Sequence, residues 1–379
     1  MKQTVFGSNW FALGGRRFLR RLMRTAALVS LVVIASCTLF FNGPYQRVTP
    51  LPRVGLLDLH CHTAGIGAGG SGCFVSRELE QSYKFGIYLK AFGVTREELA
   101  QQGDALIIRR ISEQLAGSAR VGAAILLALD GVVNDAGELD REHTQVYVPN
   151  EFVAAETAKF TNLLWGASIN PYRKDALSRL DWAAAHGAKL VKWIPSTMHI
   201  DPADERLAPF YRRLVELRLP LLCHAGQERS FMDARDELAD PVRLELPLKL
   251  GVTVIAAHIA STGASFGERD TDRLARMMAA HTNLYSEISS LTQGNKLGYL
   301  REALTRPEFR GRLLYGTDFP LINTALVSPW LYPLNLTRAR MAALARIQNP
   351  WDRDVELKRA LGVPQEVFAR ANSLFTPRP

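Results

Sequence analysis

The sequence predicts an α/β protein built as a closed (β/α)8 barrel, and three observations predict it. Strand-like apolar runs alternate with helix-patterned segments along the chain, which implies a parallel sheet. The runs number eight, the count that closes a barrel. No glycine-rich dinucleotide fingerprint follows any of them, which disfavours an open doubly wound sheet. The runs are Gly55 to Asp58, Val121 to Asp130, Asn162 to Ser168, Lys189 to Ile194, Leu219 to Cys223, Val252 to Ala257, Asn283 to Ile288 and Leu313 to Tyr315. Helical periodicity fills the gaps, as in Lys174 to His186, Ala208 to Leu217 and Thr271 to His281.

The barrel occupies residues 54–379, and a leader precedes it. Of the net charge of +9, residues 1–50 supply +7 through Lys2, Arg16, Arg17, Arg20, Arg21, Arg24 and Arg47, with no acid. The remainder carries only +2, so the basic balance is no argument for nucleic-acid binding. A hydrophobic fraction of 47% with 22% charged residues fits a globular protein and excludes a disordered or fibrous one. Five arginines precede the uncharged stretch Thr25 to Phe41, 17 residues long. That length suits a short membrane span or a slightly long signal-peptide core. The arginines predict a cytoplasmic N-terminus and an exported barrel, so residues 1–42 are expected to tether the protein in a bacterial cell envelope. Ile34-Ala35-Ser36-Cys37 resembles a lipoprotein cleavage box, but Leu39, Phe40 and Phe41 continue the apolar run beyond the cysteine. A transmembrane anchor and a lipid anchor both stay open. Residues 43–53, with three prolines, read as a linker.

Two insertions follow the first and second strands. Thr63 to Cys73 reads as a flexible, glycine-rich loop, and Ser76 to Ser118 adds helical excursions. Asp130 to Phe152 is a polar loop. Both lie after strand C-termini, at the face where barrel chemistry sits, and both are candidate lids.

Chemistry-bearing residues gather at the same face. His60 and His62 in Asp58-Leu59-His60-Cys61-His62 are two apart on an extended segment, so their imidazoles share a side and make a good zinc pair. Cys61, and Cys223 beside His224, then face away from the site. His224 closes LPLLC, His258 closes VTVIAA, and Asp318 follows LLYGT. A lone histidine after an apolar run is commonly a satisfied core residue. Ligand-type residues at the ends of the first, fifth, sixth and eighth strands together are not explained that way. Asp58 is a candidate to orient a ligand histidine. Glu228 and Glu287 are expected in the pocket without a derivable role, and His199 is a candidate substrate contact. His186 and His281 read as helix-end histidines and His143 as a solvent-exposed one.

LLDLHCHT, LPLLCHAGQE, VTVIAAHIA, LLYGTDFP and the closing LGVPQEVFARANSLF, with its Asn372, resemble the amidohydrolase superfamily, most closely its branch of metal-dependent TIM-barrel hydrolases and decarboxylases. The resemblance spans about Leu56 to Phe375. It implies one or two divalent ions, zinc first among them, held by His60, His62, His224 and Asp318. Asp318 is implied as general base, and His258 as a second-metal ligand or an acid/base group. Lys192, in the fourth strand, is similar to a lysine that is carbamylated and bridges two metals in some members. An unmodified lysine that binds an anionic substrate and a structural ion pair remain open for it.

The expected function is hydrolysis of an amide, ester or lactone bond of a small-molecule substrate. Non-oxidative decarboxylation on the same metal is the alternative, and a non-catalytic metal-binding scaffold at the membrane is a third possibility from a different class.

Overall fold

The computed structural model describes residues 55–375. The leader and linker expected over 1–53 lie outside the described residues. Eight parallel strands form the barrel: β1 Leu56–His62, β2 Val121–Leu127, β3 Leu163–Gly166, β4 Val191–Trp193, β5 Leu221–Cys223, β6 Val254–Ala256, β7 Leu284–Glu287 and β8 Leu313–Leu314. Two runs of pairing, β1-β2-β3 and β4-β5-β6-β7-β8, account for most of the ladder. The seams between them are also parallel bridges. Ala167 pairs with Val191, and Cys61 with Phe319, so the sheet closes on itself. At the second seam Asp318 N donates to His60 O at 2.8 Å and His62 N to Phe319 O at 2.9 Å.

The predicted runs and the strands coincide, with one informative difference. The first run ends at Asp58 by sequence, whereas β1 continues through His62. Its register against β2 slips between Asp58 and Cys61: three steps on β1 match two on β2, from Ala124 to Leu126. That is a bulge, which shifts the alternation of side chains by one. Leu57 and Leu59 therefore point into the barrel, where they pack with Ile125, Leu127, Leu190 and Leu222. Cys61 belongs to the outer layer between strands and helices.

The floor of the barrel is closed by the terminal helix Gln365–Phe375. Ala371, Leu374 and Phe375 pack onto the interior aliphatic cluster. Asn372 Oδ1 accepts from Leu57 N at 2.9 Å, pinning the helix to the start of β1. The preceding helix, Pro350–Ala360, packs outside the barrel. Asn349 caps it by accepting from Trp351 N and Asp352 N, with proline in the first turn, as a helix start favours.

At the opposite end the two insertions join. Phe74–Val75 of the first pairs antiparallel with Val146–Tyr147 of the second. The stretch read as a flexible loop, Thr63 to Cys73, is instead organised around one buried carboxylate. Asp104 accepts from Ile66 N at 3.0 Å, Gly67 N at 2.9 Å and Ser71 Oγ at 2.5 Å. Glycine richness signals backbone freedom, but here distant Asp104 satisfies the amides. The helix Tyr83–Phe92 of this insertion roofs the mouth.

Candidate metal centre

Six of the barrel strands, β1 and β4 to β8, deliver the side chains of the mouth at or just past their ends. His60 and His62 project from the bulged end of β1, and their Nε2 atoms lie 3.1 Å apart. Asp318, four residues past the end of β8, reaches the same point because its backbone takes the left-handed conformation, φ 61. Its Oδ1 lies 3.2 Å from His62 Nε2 and 3.6 Å from His60 Nε2. His258, with φ 54 after β6, brings Nε2 to 3.9 Å from Asp318 Oδ2. Non-glycine residues at positive φ are uncommon and cluster where a site dictates backbone direction.

The outer partners decide which nitrogen faces inward. Glu287 Oε1 sits 3.1 Å from His60 Nδ1, 3.4 Å from His258 Nδ1, and accepts from His258 N at 3.0 Å. Ser289 Oγ lies 2.8 Å from His258 Nδ1. Glu228 Oε2 lies 3.5 Å from His224 Nδ1. A carboxylate at Nδ1 accepts its proton and leaves Nε2 with a lone pair, the arrangement metal-ligating histidines use. His224 Nε2 is buried without a hydrogen-bond partner among the described residues. An orphaned ring nitrogen in the interior costs free energy unless a further group meets it.

Electrostatics agree with that chemistry. Burial, then the charge of Lys192, holds His60 well below the ordinary histidine value. Burial lowers His224 and His258 as well. Each shift favours the neutral imidazole, the form that binds cations. Burial alone would raise Asp318, but the hydrogen bond from His62 and the neighbouring histidines hold it well below the usual carboxylate range. Ser290 Oγ donates to Asp318 Oδ2, and Gln293 Nε2 donates to Ser290 Oγ at 2.7 Å, which fixes the carboxylate. A close trio of His60, His62 and Asp318 and a second of His60, His258 and Glu287 each have ligand atoms within 4.8 Å of one another. Either trio could hold a metal ion. His224 stands one ring further out, its centroid 5.3 Å from that of His258.

Lys192 is buried at the same centre, with Nζ 3.2 Å from His60 Nε2. Burial lowers its amine below the ordinary lysine value. Asp58 is elsewhere. The bulge turns it outward, so it accepts from Trp351 Nε1 at 2.9 Å and Thr317 Oγ1 at 2.6 Å, and touches only the backbone N of His60. It braces β1 against β8 and the outer helix and orients no imidazole, which corrects the sequence expectation. His199 ends a short helix and does not line the cavity. Cys61, Cys73 and Cys223 are buried free thiols. His186 and His281 sit at helix ends, and His143 pairs with Asp140 on the surface.

Sequence reading assigned no role to Glu287, although a lone acid inside the apolar run Asn283 to Ile288 was a signal for one. It missed Ser289, Ser290, Gln293 and Lys296, whose types are ordinary in a loop. It also missed the cavity of about 770 Å³ that the centre opens into.

The sequence pattern of the family described as amidohydrolase matches residues 58–351. No curated protein matches the chain. The chain is similar to an uncharacterized TIM-barrel protein from Bordetella bronchiseptica, 16% identical, covering 81% of this chain and 99% of that one at a TM-score of 0.49. It is similar to 5-carboxyvanillate decarboxylase from Sphingomonas paucimobilis at 11% identity, covering 85% and 98%, TM-score 0.42. Dihydroorotase from Campylobacter jejuni is 12% identical, with coverage of 87% and 85% and a TM-score of 0.41.

Proposed function

From the premise that this chain belongs to the amidohydrolase family, we propose that it is a zinc-dependent hydrolase of an amide, ester or lactone bond, with His60, His62, His224 and Asp318 as ligands. The observation that carries the reading is the convergence of His60 Nε2, His62 Nε2 and Asp318 Oδ1 within 3.1–3.6 Å, with Nδ1 of His60 already taken by Glu287. The Nε2 of His224, without a hydrogen-bond partner among the described residues, supports the same donor set. A divalent ion bound there supplies Lewis acidity and lowers the pKa of water to roughly 7.

The protein's own groups handle the proton. Asp318 accepts it from the attacking water and returns it to the leaving nitrogen or oxygen as the carbonyl carbon bond breaks. Ser290 holds Oδ2 in place meanwhile. His258, 3.9 Å from that oxygen, is the second proton carrier. Glu287 keeps both imidazoles oriented. In the His60→Ala, His62→Ala double variant, elemental analysis should find the zinc gone; unchanged zinc there overturns the ligand set.

Lys192 bears on metal number. A carbamate formed by N–C bonding of its amine to CO2, with loss of a proton, would place one negative charge, shared over two oxygens, beside His60, where it could help hold a second ion. Two metals in wild type and one in Lys192→Ala support that state; one in both refutes it. Decarboxylation is the second reading, favoured by the cations Lys192 and Lys296 on the cavity wall, which suit a substrate carboxylate. Release of CO2 in place of an acid and an amine or alcohol would establish it. The leader supports a location outside the cytoplasm. Protease added to spheroplasts should digest the barrel, and fatty-acid labelling lost in Cys37→Ala would identify a lipid anchor.

A further inference from the structure

The cavity in front of the metal centre is built unlike the centre itself. Its wall is apolar, with Leu79, Ile87, Tyr88, Phe231, Ile194 and Leu326 facing the space. Its volume of about 770 Å³ is toward the upper end of the range for drug-sized ligands, roughly 300–1,000 Å³. The greasy wall runs out to the mouth, where Ile87 is 46% and Leu326 45% exposed.

The wall is a fixed assembly. Lys84 Nζ, on the roofing helix Tyr83–Phe92, donates to Arg229 O at 2.9 Å and Phe231 O at 3.0 Å. Tyr88 OH donates to Ser230 O at 3.0 Å. These bonds clasp the insertion after β1 to the loop after β5. On the other side Asn323 Nδ2 donates to Ala91 O at 3.0 Å, joining the helix to the segment after β8. Apolar surface held open this way, with its backbone polar groups satisfied elsewhere, is complementary to an apolar ligand.

Charged side chains interrupt the apolar wall, Lys84, Lys90, Lys192, Arg229 and Lys296 among them. Lys296, half-buried after β7, lines the cavity, and its ammonium has no hydrogen bond or ion pair among the described residues. The carboxylates nearby are already engaged: Glu228 faces His224, Asp318 takes Ser290, and Glu287 takes His60. A half-desolvated cation without a partner is complementary to an anionic group on the ligand.

Resting on the hydrolase reading, we infer that the substrate is an acidic amphiphile: a carbonyl compound with a carboxylate for Lys296 and an acyl chain of about eight carbons or more for the chamber. An N-acyl amino acid, or an acyl ester of a hydroxy acid, has its groups in this order. Its hydrolysis adds water across the acyl bond and releases a fatty acid and an amino or hydroxy acid.

The test is calorimetric titration of the full chain, as purified, with octanoate, acetate and 1-octanol. Octanoate should bind at least roughly a hundredfold more tightly than acetate, because each buried methylene contributes. Lys296→Gln should weaken octanoate roughly tenfold and leave 1-octanol unchanged. Ile87→Asp and Leu326→Asp, at exposed positions that tolerate polar residues, should weaken octanoate and 1-octanol alike, with unaltered melting temperature as the folding check. Equal binding of octanoate and acetate, or an unchanged octanoate affinity in Lys296→Gln, overturns the substrate class. The two readings fail separately. Absence of zinc with octanoate preference intact removes the hydrolase reading alone, and bound zinc without that preference removes the amphiphile alone.

Discussion

The floor and the mouth of the barrel are made by the same strands a few residues apart, yet they obey opposite rules. On β5 Leu222 belongs to the interior aliphatic cluster, and His224, two residues on, faces the metal centre. Ahead of β4 Leu190 plugs the floor, and Lys192 on that strand reaches His60. On β1 Leu59 and His60 are adjacent, and only the bulge lets both point inward. Floor side chains gain free energy by burial alone. Mouth side chains lose it unless each polar atom finds a partner, which is why Glu287, Ser289, Ser290 and Gln293 surround them. Lys192 spans both regimes. It is the register partner of Leu222, so its stem packs with the floor while its amine serves the mouth.

The contrast can be broken most forcefully at the floor. Leu222→Asp would bury an unpaired charge in the aliphatic cluster, a loss of more than about 4 kcal/mol, and should abolish soluble folded protein. Soluble yield and a melting curve measure this; a folded variant of near-normal stability would mean that the floor is wet. Leu190→Ala should cost about 2–5 kcal/mol by leaving a cavity, read from denaturant unfolding.

One layer higher, Lys192→Met keeps the stem and deletes the amine. Its stability should stay within about 1 kcal/mol of wild type or rise, since a desolvated amine is removed, while metal content changes. A loss as large as that of Leu190→Ala would place Lys192 wholly in the floor's regime.

Gly316 separates the two layers on the β8 side. A Cβ there would come 2.9 Å from His60 Cβ and 3.2 Å from Glu287 Oε2. Gly316→Ala should displace His60 from its carboxylate and weaken metal binding about 10–100-fold, at about 1–3 kcal/mol of stability. Zinc titration against a chelator reads the first effect, and unaltered affinity would show that the layers have slack.

The smallest effect belongs to the outer rim, where polar contacts face water. Asp204 is held down to about 2 by Arg206, with Tyr172 OH 2.9 Å away. A carboxylate lowered by folding contributes stability above its unfolded value near 3.8, and that contribution disappears as pH falls through about 2. Asp204→Asn should therefore cost under about 1 kcal/mol at neutral pH, the gap to wild type closing between these two values. A pH series of urea midpoints tests the sign: a gap that widens on acidification contradicts it.

Sequence by itself determined the barrel, because a fully buried parallel strand must be an aliphatic run and eight such runs admit few closed arrangements. It also singled out His60, His62, His224, His258 and Asp318, since ionisable residues at the ends of apolar runs stand out against them. Even the terminal helix was legible, through the pattern that contains Asn372. Only the tertiary structure decided the rest. Asp58, two residues before His60, read as a candidate to orient a ligand histidine; a single extra residue in β1 separates it from that face and it bonds Trp351 instead, and a bulge leaves no mark in composition. Asp104 organising a distant loop, Glu287 serving two histidines and Lys296 standing without a partner among the described residues are relations between residues far apart in the chain. Local pattern reports what a side chain needs from its surroundings, and folding alone determines which neighbour, at what distance, supplies it.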